Sequence, residues 1–286
     1  MRIERPRQWD HATSLPEAFG TLADAYHTAT RNPGATKGLF KAHEVHYSPY
    51  VQQLAVEAPL HLDDLPRVAL PVARASVPMP IDEAITHRVS GRRFGPDPLP
   101  AEHLATLLYL GNGVREVVRI GGEVLFYQRN VTNSGNLGSV EIFPLVMNVA
   151  GIAPGIYHFD SVRHDLARIH SGQFRTWLME RVLFQREFPA AAAALILTSA
   201  IGRLQAKYGP RGYRFGLFDV GHVSENIYLV GTGLGLQVCA TAGFIDEEVD
   251  RTLGFDGLER ATMLVLLVGP AHTTERAIQG ASADGL

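Results

Sequence analysis

The 286-residue chain sets 26 Lys and Arg against 29 Asp and Glu, a formal net charge of -3, with 46% hydrophobic and 19% charged residues. That length and balance suit one large domain, or a core with a small appendage, that buries its own interior; they exclude a disordered chain and give no global attraction for nucleic acid or an anionic membrane. The lone cysteine, Cys239, leaves no intrachain disulfide and no Cys-rich metal site, and the start Met1-Arg2-Ile3-Glu4-Arg5 lacks an apolar signal run, so a reducing cytoplasm is the expected compartment.

Residues 1–78 join a helical pattern, Leu15 to Ala29, to a stretch punctuated by Pro33, Pro49, Pro59, Pro66, Pro71 and Pro78, the signature of an arm or small lobe. Residues 79–270 carry the cleaner signals. Ile81, Ala84, Ile85 and Arg88 share one helix face that Ser90-Gly91 breaks. Pro100 suits the first position of a second helix, Leu104, Leu107, Leu108 and Gly111 line its side, and Gly111-Asn112-Gly113 stops it. Val140, Ile142 and Val146 mark a strand, and Gly155 to Phe159 faces Asp165 to Ile169 as a hairpin. Phe174 to Phe184 reads as helix, Ala191 to Ile201 and Thr262 to Val268 as buried strands. Between them Val223, Ile227, Val230 and Leu234 form the clearest apolar stripe. The uncharged run from Asn226 to Ile245 approaches membrane-spanning length, but its Asn226, Thr232, Gln237, Thr241 and glycines make it a buried helix followed by a loop. The polar tail, residues 271–286, is expected to fray. Helices and strands alternate irregularly, which favours an α+β layer architecture over a doubly wound sheet.

Four segments carry candidate chemistry. Arg88-Val89-Ser90-Gly91-Arg92-Arg93-Phe94 gathers guanidiniums and a hydroxyl at a helix-to-loop transition, a donor set suited to phosphate although also that of a solvated basic turn. Arg129-Asn130-Val131-Thr132-Asn133-Ser134-Gly135 is rich in short donors and acceptors, and Ala240-Thr241-Ala242-Gly243-Phe244 allows close backbone approach; either alone is an ordinary connection. Lys207-Tyr208, followed by Gly209-Pro210-Arg211-Gly212-Tyr213-Arg214 and Asp219-Val220-Gly221-His222, offers an amine and a phenol whose free pKa values, about 10.4 and about 10, need burial to serve proton transfer near neutrality. His43-Glu44-Val45-His46 falls one residue short of the zincin spacing, and Gly231-Thr232-Gly233-Leu234-Gly235-Leu236 lacks both the final glycine and the preceding strand of a dinucleotide fingerprint, so that run is expected to let helices pack closely. His222 is expected to be a satisfied core histidine, four residues from Asn226. No metal site is expected.

Taken together, these segments resemble SagB-type peptide dehydrogenases, the FMN-dependent azoline oxidases of the nitroreductase superfamily, over roughly residues 80–270. The resemblance implies a nitroreductase-like mixed sheet flanked by helices, built as an intertwined homodimer with FMN at each interface. It implies that Arg88, Ser90 and Arg92 hold the phosphate, and that Arg129, Asn133, Ser134, Gly135, Ala242 and Gly243 contact the flavin. It also implies that Lys207 and Tyr208 form the acid/base element. Thr132-Asn133 replaces the family's usual Pro-Ser, a departure from the pattern. The implied reaction oxidises a thiazoline or oxazoline in a modified peptide to the azole, with hydride transfer to flavin N5, in company with a cyclodehydratase partner. Rival readings are an NAD(P)H-dependent nitro- or quinone reductase, oxidation of a carrier-bound thiazoline in nonribosomal synthesis, and a non-catalytic scaffold of a cyclising complex.

Overall fold

Two strands, β4 (Val140–Val146) and β7 (Ala193–Ser199), are buried at every residue. Successive side chains of a strand point to opposite faces, so continuous burial requires a cover on both sides of the sheet. The computed structural model, which describes residues 17–32, 48–57, 60, 62–71, 75–185, 188 and 190–272, supplies both covers. Ile142, Val146, Leu195 and Leu197 enter one apolar core, while Phe143, Leu145, Ala194 and Ile196 enter another on the opposite face.

Around this pair the sheet extends to seven strands. β9 (Ala261–Pro270) and β8 (Leu236–Thr241) complete one side, and β5 (Gly155–Asp160), β6 (Asp165–Ser171) and the short β1 (Arg67–Ala69) the other. The order is β1-β6-β5-β4-β7-β9-β8, and each adjacent pair runs antiparallel. A parallel bridge joins Leu99 to Val149 beside it. The expected hairpin of Gly155 to Phe159 with Asp165 to Ile169 is the β5–β6 pair.

The helices in chain order are α1 (Glu17–Ala29), α2 (Pro49–Val56), α3 (Ile81–His87), α4 (Ala101–Asn112), α5 (Ile201–Tyr208), α6 (Gly212–Gly233) and α7 (Asp246–Leu253). Leu104, Leu107 and Leu108 of α4 meet Val223 and Ile227 of α6 over one sheet face. Leu178, Met179 and Val182, with Val249 and Leu253 of α7, cover the other. The architecture is therefore α+β, a nitroreductase-like sheet flanked by helices. Among the described residues no helix is long and apolar enough to cross a membrane.

Several local expectations are corrected. Pro100 caps α4 from outside instead of opening it. Ile81 and Ile85 of α3 are 64% and 57% exposed, and only Ala84 of that helix is buried. Phe174 to Phe184 holds a three-residue turn, Arg175–Trp177, running into a π-helical turn, Leu178–Val182. The stretch after Gly233 is not a loop: Leu236–Thr241 is the edge strand β8, whose inward residues pair with β9. The glycines near the end of α6 accordingly admit strand and loop atoms, since a Cβ on Gly231 would strike Val238 and one on Gly233 would meet Val77 at 2.5 Å. A separate hairpin, β2 (Val114–Ile120) with β3 (Glu123–Arg129), turns through the two-residue connection Gly121-Gly122, both at positive φ. His43 and His46, and the tail beyond residue 272, lie outside the described residues.

Because Ile227 is wholly buried between α4 and the sheet, Ile227→Ala is expected to cost about 2–5 kcal/mol in urea unfolding. Leu258→Ala, at a position 77% exposed, should stay within about 0.5 kcal/mol of the parent.

Candidate active site

Asp219 is an acidic residue on the buried side of α6, 2% exposed. A carboxylate in that position must be satisfied by donors, and here it is. Its Oδ1 accepts from the Ser134 backbone N–H at 3.0 Å and the Ser134 hydroxyl at 2.8 Å, and its Oδ2 accepts from the Ser139 hydroxyl at 2.8 Å. The Ser134–Asn136 turn ahead of β4 is thereby tied to α6. Asn133 closes the same turn from within, its Oδ1 accepting from the Gly138 N–H at 3.1 Å. That bond gives the Asn at this departure from the family pattern a local structural task.

Lys207 and Tyr208 end α5 beside this turn. Lys207 is 8% exposed, and its Nζ donates to the Gly135 carbonyl at 3.4 Å. Gly135 has φ 62 and ψ 24, and a Cβ there would run into the Tyr208 hydroxyl and lie 2.5 Å from Lys207 Nζ. Amine, phenol and the Gly135 α-carbon thus converge on one point. Burial holds the Lys207 ammonium below the usual lysine range. The Tyr208 phenol is pushed up, first by burial and then by the charge of Asp219. α5 can fold back against α6 because Gly212 comes within reach of the Leu204 backbone, where a Cβ would sit 2.6 Å from the carbonyl carbon.

A second group gathers at the far end of α6. The Arg88 guanidinium lies 5.4 Å from the centre of the Tyr228 ring, and the Ser90 hydroxyl is 3.1 Å from the Tyr228 hydroxyl. That hydroxyl also accepts from the Ala240 N–H at 2.7 Å, while the Gly91 N–H donates to the Val238 carbonyl at 3.0 Å. The segment from Arg88 to the exposed Arg92 is therefore docked on β8. Beyond the end of that strand lie exposed Ala242 and partly exposed Gly243, whose carbonyl accepts from the Phe184 N–H at 3.0 Å. Val238 and Ala242 are about 13 Å apart along the strand direction.

The proposed site residues thus fall into two groups in one chain. Asn133, Ser134, Gly135, Lys207 and Tyr208 cluster at Asp219; Arg88, Ser90, Arg92, Ala242 and Gly243 follow β8 near Tyr228. Asp219 and Tyr228 are separated by nine residues of α6, about two and a half turns and ~13 Å, which sets them on opposite flanks of its buried face. Arg129 belongs to neither group: its guanidinium donates to Ser161 Oγ at 2.6 Å and the Asn112 carbonyl at 3.3 Å, lining an interior cavity. His222, expected in the core, is exposed, whereas Asn226 donates to the Leu110 carbonyl at 3.2 Å. Sequence reasoning assigned no role to Asp219, Ser139 or Tyr228. For Asp219 a signal existed, an acid four residues before Val223 on the apolar stripe.

This sheet order and helical cover define a nitroreductase fold, and the chain belongs to the nitroreductase family, whose profile matches residues 85–269. It is an oxidoreductase of that family. Relatives include the nitroreductase-type protein MJ1384 of Methanocaldococcus jannaschii, 30% identical over 173 residues, covering 60% of this chain and 83% of that protein. The trifolitoxin-processing protein TfxB of Rhizobium leguminosarum bv. trifolii is 25% identical over 178 residues, 60% of this chain but 48% of its own length, so the chain spans about half of TfxB. Among solved structures, a nitroreductase-type protein of Anabaena variabilis superposes with TM-score 0.64 at 24% identity, covering 75% of this chain and 43% of that one. The E. coli microcin synthetase McbBCD complex with truncated pro-MccB17 bound contains a chain that superposes with TM-score 0.54 at 18% identity, covering 91% and 99%. At these identities the structures speak for the fold alone.

Gly135→Ala is expected to lose about 1–2 kcal/mol for the left-handed backbone, plus the displacement of Lys207 and Tyr208. Unfolding in urea beside Thr132→Ala, an exposed neighbour expected to change by under about 0.5 kcal/mol, measures it.

Proposed function

We propose that the protein is an FMN-dependent dehydrogenase that oxidises a thiazoline or oxazoline in a modified peptide to the aromatic azole, acting as a homodimer. The observation that carries the reading is the convergence of Lys207 Nζ and the Tyr208 hydroxyl on Gly135, in a turn held by the buried Asp219 carboxylate. Support for a peptide substrate comes from TfxB, named for trifolitoxin processing.

The residues present fit FMN. Arg88, Ser90 and Arg92 offer the forked and hydroxyl donors that a phosphate takes, on a segment fixed to β8, and Ala242-Gly243 follows just beyond the end of that strand. FMN supplies, when bound, the acceptor for the hydride. Since the two groups lie on opposite flanks of α6, a complete site is formed by the Arg88 group of one copy and the Lys207 group of the other. Lys207 Nζ, already short of solvent, takes the α-proton of the substrate ring, and the Tyr208 hydroxyl hydrogen-bonds the same centre. The Gly135 carbonyl orients the amine, and Asp219 fixes that carbonyl through Ser134. A cyclodehydratase is the natural source of the azoline and the expected partner.

A reductase using NAD(P)H and a nitro or quinone acceptor is the second reading, favoured by the family and by the M. jannaschii relative. Purified protein, reconstituted with FMN where needed, is expected to show the visible absorbance of bound flavin; a colourless product would end both flavin readings. With a thiazoline-bearing peptide, Lys207→Ala should slow turnover by roughly 100-fold or more. The parent rate should rise with pH along a limb whose midpoint falls below the ~10.4 of free lysine, because only the neutral amine accepts the proton. Rapid bleaching by NADPH with no azoline turnover favours the reductase instead.

A further inference from the structure

The cavity that Arg129 lines, about 230 Å³, lies between the β2–β3 hairpin, the β4–β5 strands and Ala55, Val56, Glu57, Leu60, Leu62 and Asp63. Most of the ions around it are paired. Arg67 meets Asp160 and Asp165, and Arg163 meets Asp63 at 2.7 Å. Among the described residues, Arg129 and Arg203 form no ion pair. Arg129 donates to the Ser161 hydroxyl and the Asn112 carbonyl, and Arg203 donates to the Leu137 carbonyl at 3.1 Å and the Glu57 carbonyl at 3.0 Å, so the acceptors of both are neutral. The carboxylate nearest to sharing their charge, Glu141, is 5% exposed and already faces His158 Nε2 and Arg260 Nε, each at 3.1 Å.

Arg129 and Arg203 thus meet carboxylates only at longer range, Glu141 for both, with Asp160 for Arg129 and Glu57 for Arg203. A buried guanidinium without a carboxylate in direct contact is costly unless a counter-ion meets it. The cost is visible on the arginines themselves: burial pushes Arg129 down to about 10, and Arg203 is lowered for the same reason. A guanidinium presents a planar fork that matches carboxylate and phosphate oxygens. The volume falls below the ~300–1,000 Å³ of pockets that enclose drug-sized ligands and suits one small charged group.

We propose that this cavity is an anion site, taking a carboxylate or phosphate group between Arg129 and Arg203, separate from the Lys207 centre. It underlies the same turn: Arg203 holds the Leu137 carbonyl, and a Cβ on Gly138 would come 2.6 Å from Arg129 Nη2. An anion bound there bears on the segment that carries Gly135 from its far side. The inference does not depend on the azoline reading, because it concerns binding alone.

Thermal unfolding and calorimetric titration of the full chain with acetate, glutarate or inorganic phosphate, at constant ionic strength against chloride, test it. At about 100 times the dissociation constant the midpoint should rise by roughly 5–10 °C. Arg129→Met should weaken binding about tenfold or more; Arg203→Met serves as the second variant if the first does not fold. Binding confined to acetate and glutarate identifies a carboxylate ligand, and binding of phosphate identifies a phosphorylated one. Failure of all three anions to bind the parent protein above the chloride control overturns the proposal, as does unchanged affinity in a folded variant of either arginine. FMN content and azoline turnover are separate readouts, so failure here leaves the Lys207 reading standing.

Discussion

A buried Asp219 carboxylate, accepting hydrogen bonds from Ser134 and Ser139, is the contact on which the candidate site depends. Taking a charge out of water is unfavourable unless donors replace the solvent. The donors here come from a turn that has little apolar surface of its own and from the residue just before β4. The carboxylate fixes the turn because the turn is what satisfies it. Gly135, with its positive φ, then forms a floor on which the Lys207 amine and the Tyr208 phenol meet. A neutral apolar residue at position 219 would leave that floor without an anchor.

The second constraint is the length of α6. Its 22 residues span the sheet face, with Asp219 on one flank and Tyr228 on the other, and each collects its own set of polar groups. Arg88 and Ser90 are drawn to Tyr228 by a ring contact and a hydroxyl pair, and Tyr228 in turn holds the Ala240 N–H of the edge strand. On the proposed reading, the two sets are joined by a second copy of the chain.

Much of this was legible in the residues. The buried strands around Ile142, Ala194 and Val265 announce themselves because a sheet covered on both faces turns alternation into an unbroken apolar run. The stripe of Val223, Ile227 and Val230 is a period of 3.6. The Lys207-Tyr208 pair and its neighbours were recognisable as a resemblance. What failed is instructive for its causes. β8 reads as a loop after the helix because its short uncharged run, flanked by glycines, carries no clear period of its own. Ile81 and Ile85 have helical spacing, yet their exposure in a single chain is decided by tertiary packing, which spacing does not contain. Arg129 sits in a segment resembling a flavin contact, but its side chain turns inward to Ser161, a choice made by the β5–β6 hairpin more than 30 residues away. Asp219 could be read only as an anomaly in an apolar stripe, and its partners lie 80 and 85 residues distant.

On the proposed reading, one chain holds two incomplete halves and two chains close a flavin site. Sedimentation velocity of the FMN-loaded protein, followed at a visible wavelength where only flavin absorbs, tests it without knowledge of the substrate. The account predicts that the bound flavin boundary moves with a species of twice the 31.2 kDa chain mass and that dilution into monomer releases the colour. Flavin that remains bound to, and sediments with, the single 31.2 kDa chain would contradict it.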